Sequence, residues 1–328
     1  MFAIDALLAE DGELPCNVKF VVEGEEEIGS VNLPKLVKQH KDKLAADACI
    51  WEFGGVDHRD VPIQYLGMRG ICYVELSVET ASMDMHSGLG GTIMPNAAWR
   101  LVWALNSMKG PDERIRLPGH YEKVKPPSER DRQLMAALPD PADEYKQRFE
   151  VDHFLKGIAG GVELSMAEVF EPSCTICGFK SGYQGAGSKT VQPAYASAKV
   201  DFRLVPDQTP EDVLISLRNH LDAQGFNDVE ITYLGGEPPA RTDPDDPFVK
   251  LVVDTAEPVY GKPMEIVPMV GGSGPNYPFI HHLKLPVVTA GVGYPGSHAH
   301  APNENMRLDL YLKGAKHITR ILKTFGNS

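Results

Sequence analysis

"FVVEGEEEIGS", Phe20 to Ser30, sets an apolar run directly against three consecutive carboxylates, Glu25, Glu26 and Glu27, and then turns on Gly29-Ser30. Adjacent like charges repel. Two readings are open: a solvated loop, or a metal site in which a cation offsets the repulsion. The preceding "NVKFVVEG" reads as a short buried strand bounded by Pro15 and Gly24, which places the carboxylates at a strand's C-terminal edge. Upstream, residues 2–10 read as the end of an amphipathic helix. Downstream, "NLPKLVKQHKDKL" reads as a helix and "DACIWEFGG" as a strand. Residues 1–55 thus alternate α-β-α-β, the rhythm of a parallel sheet covered by helices.

The pattern changes after residue 66. "ICYVELSVET" alternates as a half-exposed antiparallel strand does. "MPNAAWRLVWALNSMKG" is a helix, and residues 111–160 are polar, Pro-rich and helical in pieces. "ASAKVDFRLVP" is a strand, and "TPEDVLISLRNHLDAQG" is a helix with Thr209 as cap and Pro210 at its first position. "DVEITYLGG" closes this block. From residue 241 the first rhythm returns, with "DPFVKLVVDTAEPVYG" a helix, "LPVVTAGVG" a buried strand and "ENMRLDLYLKGAKHITRILKTFG" a closing helix. The expected fold class is α/β. One domain, residues 1–66 and 241–328, is interrupted by an inserted α+β domain, residues 67–240.

Bulk properties exclude several partners. The net charge is −13, with no Lys/Arg cluster long enough to track a phosphate backbone, so no nucleic acid is expected. No apolar run approaches the ~20 residues of a membrane span. The N-terminus lacks a basic start and a small-residue cleavage site. Five cysteines form an odd, sparse set that suits a reducing cytoplasm, and Cys174-Thr175-Ile176-Cys177, without a second pair, reads as structural.

Three predicted strands deliver metal-type donors to one rim. Glu26 and Glu27 follow the first, Glu52 ends "ACIWEF", and His298 and His300 follow "PVVTAGVG". In open α/β sheets, sites form at the carboxyl ends of strands. Mixed His/carboxylate sets suit zinc, and manganese where oxygen dominates. Adjacent glutamates can divide the work, one binding metal while its neighbour takes a proton from water.

"EGEEEIGS", "MDMHSGLGG", "KTVQPAYASAKVDFRLVPDQTP" and "GSHAHAPNENM" together resemble the metal-dependent exopeptidase family of carnosinase-type dipeptidases, glutamate carboxypeptidase and aminoacylase. The resemblance implies a three-layer α/β/α catalytic domain with an inserted lid domain that also dimerises, two divalent metal ions, and a peptide or dipeptide substrate. It assigns Glu26 as general base, Glu27 and His300 as ligands of one metal, and Glu52 as ligand of the other. It assigns His86 to the polarisation of the scissile carbonyl in a partner subunit's site and Arg203 to the substrate carboxylate. The turn Gly271-Gly272-Ser273 would bond that same end of the substrate. His298 matches no ligand position and is expected either to support the ligands from behind or to be structural.

One departure matters. The family's His-x-Asp motif and its metal-bridging Asp precede the block matched by "EGEEEIGS", and here neither does; "HRDVP", His58 to Pro62, lies on the wrong side of that block and reads as a chance match. The chain is therefore expected to cover the family's C-terminal part, to leave its catalytic domain incomplete at the N-terminus, and to hold metal weakly. The alternatives are a non-catalytic dimerising module and an N-acyl-amino-acid deacylase of the same family.

Overall fold

The computed structural model describes residues 1–327, which divide into two compact units. Of the described residues, the first comprises 1–68, 128–139 and 240–327; the second comprises 69–127 and 140–239. The stretch 128–139, placed in the insertion by the sequence reading, packs within the first unit. One carboxylate does both the capping and the docking. Ser128 and Asp131 form a capping box at the start of helix Glu129–Ala137, and the buried Asp131 also accepts from Arg241 at 2.6 Å.

The first unit is α/β, with short parallel pairings. Strand Cys49–Trp51 runs parallel to Val287–Thr289, and Pro62–Tyr65 runs parallel to Glu265–Val267, with Gly55–Val56 antiparallel on its other side. The fully buried Gln64 splices the two sheets. Its amide donates to Thr289 O at 3.1 Å and accepts from Thr289 N at 2.7 Å, so the side chain replaces a missing rung of backbone ladder. At the rim, Gly55 abuts Gly293 so closely that an added Cβ would sit 2.0 Å from Gly293 O. Helices Pro247–Tyr260 and Leu308–Gly326 cover the strands with Val249, Val252, Ala256 and Ile321. Helix Phe2–Asp11 packs on the latter helix.

One expected strand does not form. Residues 17–22 form neither helix nor ladder, and Phe20, Val21 and Val22 are exposed. A β-strand needs a neighbour for its N–H and C=O groups, and none among the described residues lies alongside.

The second unit is built on a four-stranded antiparallel sheet in the order Glu230–Glu237, Gly70–Glu79, Tyr195–Leu204, Ser173–Ser181. Period-2 alternation puts Cys72, Val74, Leu76 and Val78 on one face, with Ala196, Ala198, Val200 and Phe202 beside them, all under 2 % exposed. Helices Ala97–Met108 and Pro210–Ala223 bury Leu101, Ala104, Val213 and Leu217 in the same core. The opposite face carries Asp201 and Arg203. Cys174 is buried and Cys177 exposed beside a bulge, and both are free thiols. No helix among the described residues is long and apolar enough to cross a membrane.

Candidate active site

The acidic run folds into a single 3-10 turn, Glu26–Ile28, rather than a strand end. Glu25 O accepts from Ile28 N and Ser30 N, and Gly29 closes the turn at φ +88°, where a side chain would be strained. Two of the glutamates hold the turn. Glu23 accepts from Ser30 Oγ at 2.8 Å, and Glu25 accepts from Asn32 Nδ2 at 2.9 Å. Glu26 and Glu27 are left to face outward.

Glu27 meets a residue 273 positions away: its Oε1 lies 3.2 Å from His300 Nε2. Both side chains are about three-quarters exposed, at 73 and 75 %. The loop that presents His300 is tightly bent, with His298, His300 and Asn303 all at positive φ. Its bonds close on themselves: Ala301 N to His298 O and Asn305 N to Ser297 O, each 2.9 Å, and Tyr294 Oη to Asn305 Oδ1. His298 stays exposed, its Nδ1 3.4 Å from Pro302 O. Glu26, though on the surface, has its carboxyl pushed above the usual glutamate range. Partial desolvation is the largest cause, followed by Glu27 and Glu23, and His300 pulls the other way.

Glu52 follows strand Cys49–Trp51 at its C-terminal end, between Trp51 and Phe53, whose rings stack at 5.1 Å. The Gly271–Ser273 turn reaches the same strand: a Cβ on the next residue, Gly274, would stand 2.6 Å from the Trp51 ring. Glu52 does not join Glu27 and His300, and among the described residues no three His, Cys, Asp or Glu side chains converge as a metal would require. A catalytic zinc normally takes three protein ligands. The Glu27–His300 pair has the right donor chemistry but not the number, so the described residues do not by themselves fit a metal ion.

His86 and Arg203 belong to the second unit. His86 caps the short helix Ser87–Gly90. Its Nδ1 accepts from Gly88 N at 2.9 Å, and its Nε2 lies 3.2 Å from Thr190 Oγ1. An Nδ1 that accepts leaves the proton on Nε2, which makes His86 a neutral donor held from both ends. Arg203 projects from strand Tyr195–Leu204 with its Nε 3.6 Å from Asp201 Oδ2. Thr190, Asp201 and Glu23 were not singled out in the sequence. Only Asp201 left a signal, standing two residues before Arg203 and hence on the same strand face. "HRDVP" forms a turn in which Asp57 accepts from Arg59 N at 2.8 Å and Val61 N at 2.9 Å, while Asp60 pairs with Arg307.

The sequence profile of Peptidase family M20/M25/M40 matches residues 1–324. Beta-Ala-His dipeptidase of Rattus norvegicus is 31% identical over 253 residues, covering 72% of this chain and 49% of its own length. Cys-Gly metallodipeptidase dug1 of Schizosaccharomyces pombe is 26% identical over 314 residues, 93% of this chain and 65% of its own. Among solved structures, an M20 family metallo-carboxypeptidase, Sso-CP2 from Sulfolobus solfataricus, superposes with a TM-score of 0.93 at 35% identity, covering 100% of this chain and 74% of that one. This chain thus spans about half to two thirds of the curated relatives it matches. Profile and superposition agree, and the chain belongs to peptidase family M20/M25/M40.

Proposed function

We propose that this chain is the larger part of a metal-dependent peptidase that cleaves dipeptides or short peptides bearing a free C-terminal carboxylate. The observation that carries the reading is Glu26, a carboxyl with raised proton affinity, one residue from a glutamate already paired with a distant histidine. A base works best when its pKa approaches the working pH. In this reading Glu26 takes the proton of the attacking water and later returns it to the leaving amine. His86, its Nε2–H fixed by the Nδ1 contact, donates to the carbonyl oxygen as negative charge develops there. Arg203 takes the terminal carboxylate with its planar fork. Glu27 and His300 would hold one divalent ion and Glu52 would contribute to another, zinc in this reading, which would supply Lewis-acid activation of the water; two donors alone do not complete such a site.

A homodimer through the second unit completes the reading, with His86 serving the partner's site. Its support is exposed apolar side chains in that unit, Ile93 and the stacked Trp99 and Trp103. A second reading, carboxypeptidase action on longer peptides, is favoured by the 0.93 TM-score to the Sulfolobus metallo-carboxypeptidase.

The test uses the full-length protein with added zinc or manganese, a set of dipeptides and a set of N-blocked longer peptides. Glu26→Gln should abolish turnover and leave metal content unchanged, because the shape survives and the base is lost. Glu27→Gln should lower metal content. Turnover by Glu26→Gln at the wild-type rate would refute the assignment, and preference for the longer set would select the carboxypeptidase.

A further inference from the structure

The first unit gathers positive charge on one surface of a protein whose net charge is −13. Helix Leu33–Gln39 packs against the π-helical turn Pro278–His282. The helix is anchored by the buried Leu33 and Val37, and its Lys38 is exposed. Lys41, also exposed, opens the next short helix, Lys41–Leu44. On the turn, the Tyr277 ring stacks on His281 at 4.2 Å and meets His282 edge-on at 5.6 Å. Lys284 follows, exposed, at φ +60°. His282 registers how these groups converge. It is held below the ordinary histidine value, by burial first and then by Lys38, Lys41, His281 and Lys284, with no carboxylate opposing them. Among the described residues Lys38, Lys41 and Lys284 form no ion pair, and Asp42, the one acid between Leu33 and Leu44, pairs with neither of its neighbours.

We propose that Lys38, Lys41 and Lys284 form a binding site for a diphosphate group, free or esterified, that bridges helix Leu33–Gln39 and its continuation to the turn Pro278–His282. The site is separate from the peptidase reading and does not rest on it.

The argument starts from two costs that the surface carries. Like charges brought together repel. Lys284 also occupies the left-handed backbone region, which strains a residue with a Cβ. A glycine at 284 would remove both costs, yet the position holds a lysine, directly after a π-type turn of the kind that recurs at functional sites. An anion laid across the two elements offsets the repulsion. The donors decide its class. A planar carboxylate is matched by the fork of arginine, and neither segment contains one. Ammonium groups on flexible stems act as point charges and suit the tetrahedral phosphate, whose oxygens face several directions. A diphosphate presents two such groups, one toward each element. Two short elements are too little to track a nucleic-acid backbone.

The test measures pyrophosphate and ADP binding to the full-length protein by calorimetry, at constant ionic strength, with citrate as a polyanion that lacks phosphate. Binding of either phosphate with citrate at least about tenfold weaker is expected, and the tighter of the two identifies the free or the esterified source. Lys38→Gln and Lys284→Gln should each weaken the phosphate about fivefold, and the pair together should abolish binding. Lys284→Arg, which keeps the charge, should retain most of it. Lys284→Gly separates the site from a structural role: without anion it should raise the melting temperature by about 2 °C, because strain and one repelling charge are gone, and it should still weaken the phosphate about fivefold. Chelation of a metal by pyrophosphate would be the same in all variants and so cannot imitate this pattern. Citrate binding as tightly as pyrophosphate, or wild-type pyrophosphate affinity in Lys284→Gly or in the double variant, overturns the inference. So does co-sedimentation with phosphatidylserine vesicles, lost in the double variant, by a protein that binds neither pyrophosphate nor ADP.

Discussion

At the scale of single residues, burial decides protonation, and His120 shows it most clearly. It is 5 % exposed, packs edge-on to Tyr121 and against Phe202, and has an Nε2 that no described group reaches. Burial lowers its pKa from 6.5 to about 4. In the unfolded chain the ring titrates near its ordinary value, so below that pH the unfolded state binds more protons than the folded one. Stability is thus fully present above about pH 7 and is lost as pH falls toward 4. The linkage amounts to about 2 kcal/mol by pH 5 and about 3 kcal/mol near pH 4. His317, buried in the first unit and also shifted down by burial, adds in the same direction. His120→Phe should flatten the loss between pH 7 and 5 by about that amount in urea unfolding. An unchanged pH slope would mean the ring is not held neutral.

At the scale of elements, the ends of helices settle which unit a segment joins. Helix Glu129–Ala137 has little apolar surface and a polar sequence, yet it is held by three bonds on one carboxylate: Ser128 N at 2.9 Å, Ser128 Oγ at 2.7 Å and Arg241 Nη2 at 2.6 Å. Ser128→Ala removes a cap and should cost about 1 kcal/mol. Asp131→Ala removes the cap and the Arg241 pair together and should cost about 3 kcal/mol. Thermal unfolding of the two variants measures the difference; equal losses would show that the Arg241 pair contributes nothing. The same logic explains why residues 17–22 stay unpaired. Their apolar side chains favour a strand, but an element exists only if its backbone groups have partners.

At the scale of the whole molecule, the donor count sets what residues 1–328 do by themselves. With Glu27 and His300 as a two-donor pair, zinc should bind this polypeptide far more weakly than a three-ligand catalytic site does. His300→Ala and Glu27→Gln should each remove what binding there is, and Glu52→Gln should leave it unchanged. Zinc titration followed by calorimetry checks the set. Tight stoichiometric binding that also depends on Glu52 would show that the rim closes further than the described residues do.

Much of this was legible in the sequence because it is periodic or local. The alternation of "ICYVELSVET" and "YASAKVDFRL" marks two sheet strands, the 3.6-residue apolar repeat marks helices Ala97–Met108, Pro210–Ala223 and Pro247–Tyr260, and Thr209 with Pro210 marks a helix start. These depend on groups within a few positions of each other, which a linear string records. What the tertiary structure alone decided involves groups far apart in the chain. The Glu27–His300 pair was legible only through the family resemblance, and nothing near Asp131 announces Arg241. That "FVVEGEEEIGS" is a self-bonded turn rather than a strand end goes with the absence, among the described residues, of a neighbouring strand, which no local pattern encodes. Arg69, an ordinary cation in the sequence, became a buried and fixed charge only when a helix end closed over it. Burial and long-range pairing arise from the packing of the chain on itself, so their consequences for charge and chemistry are properties of the fold.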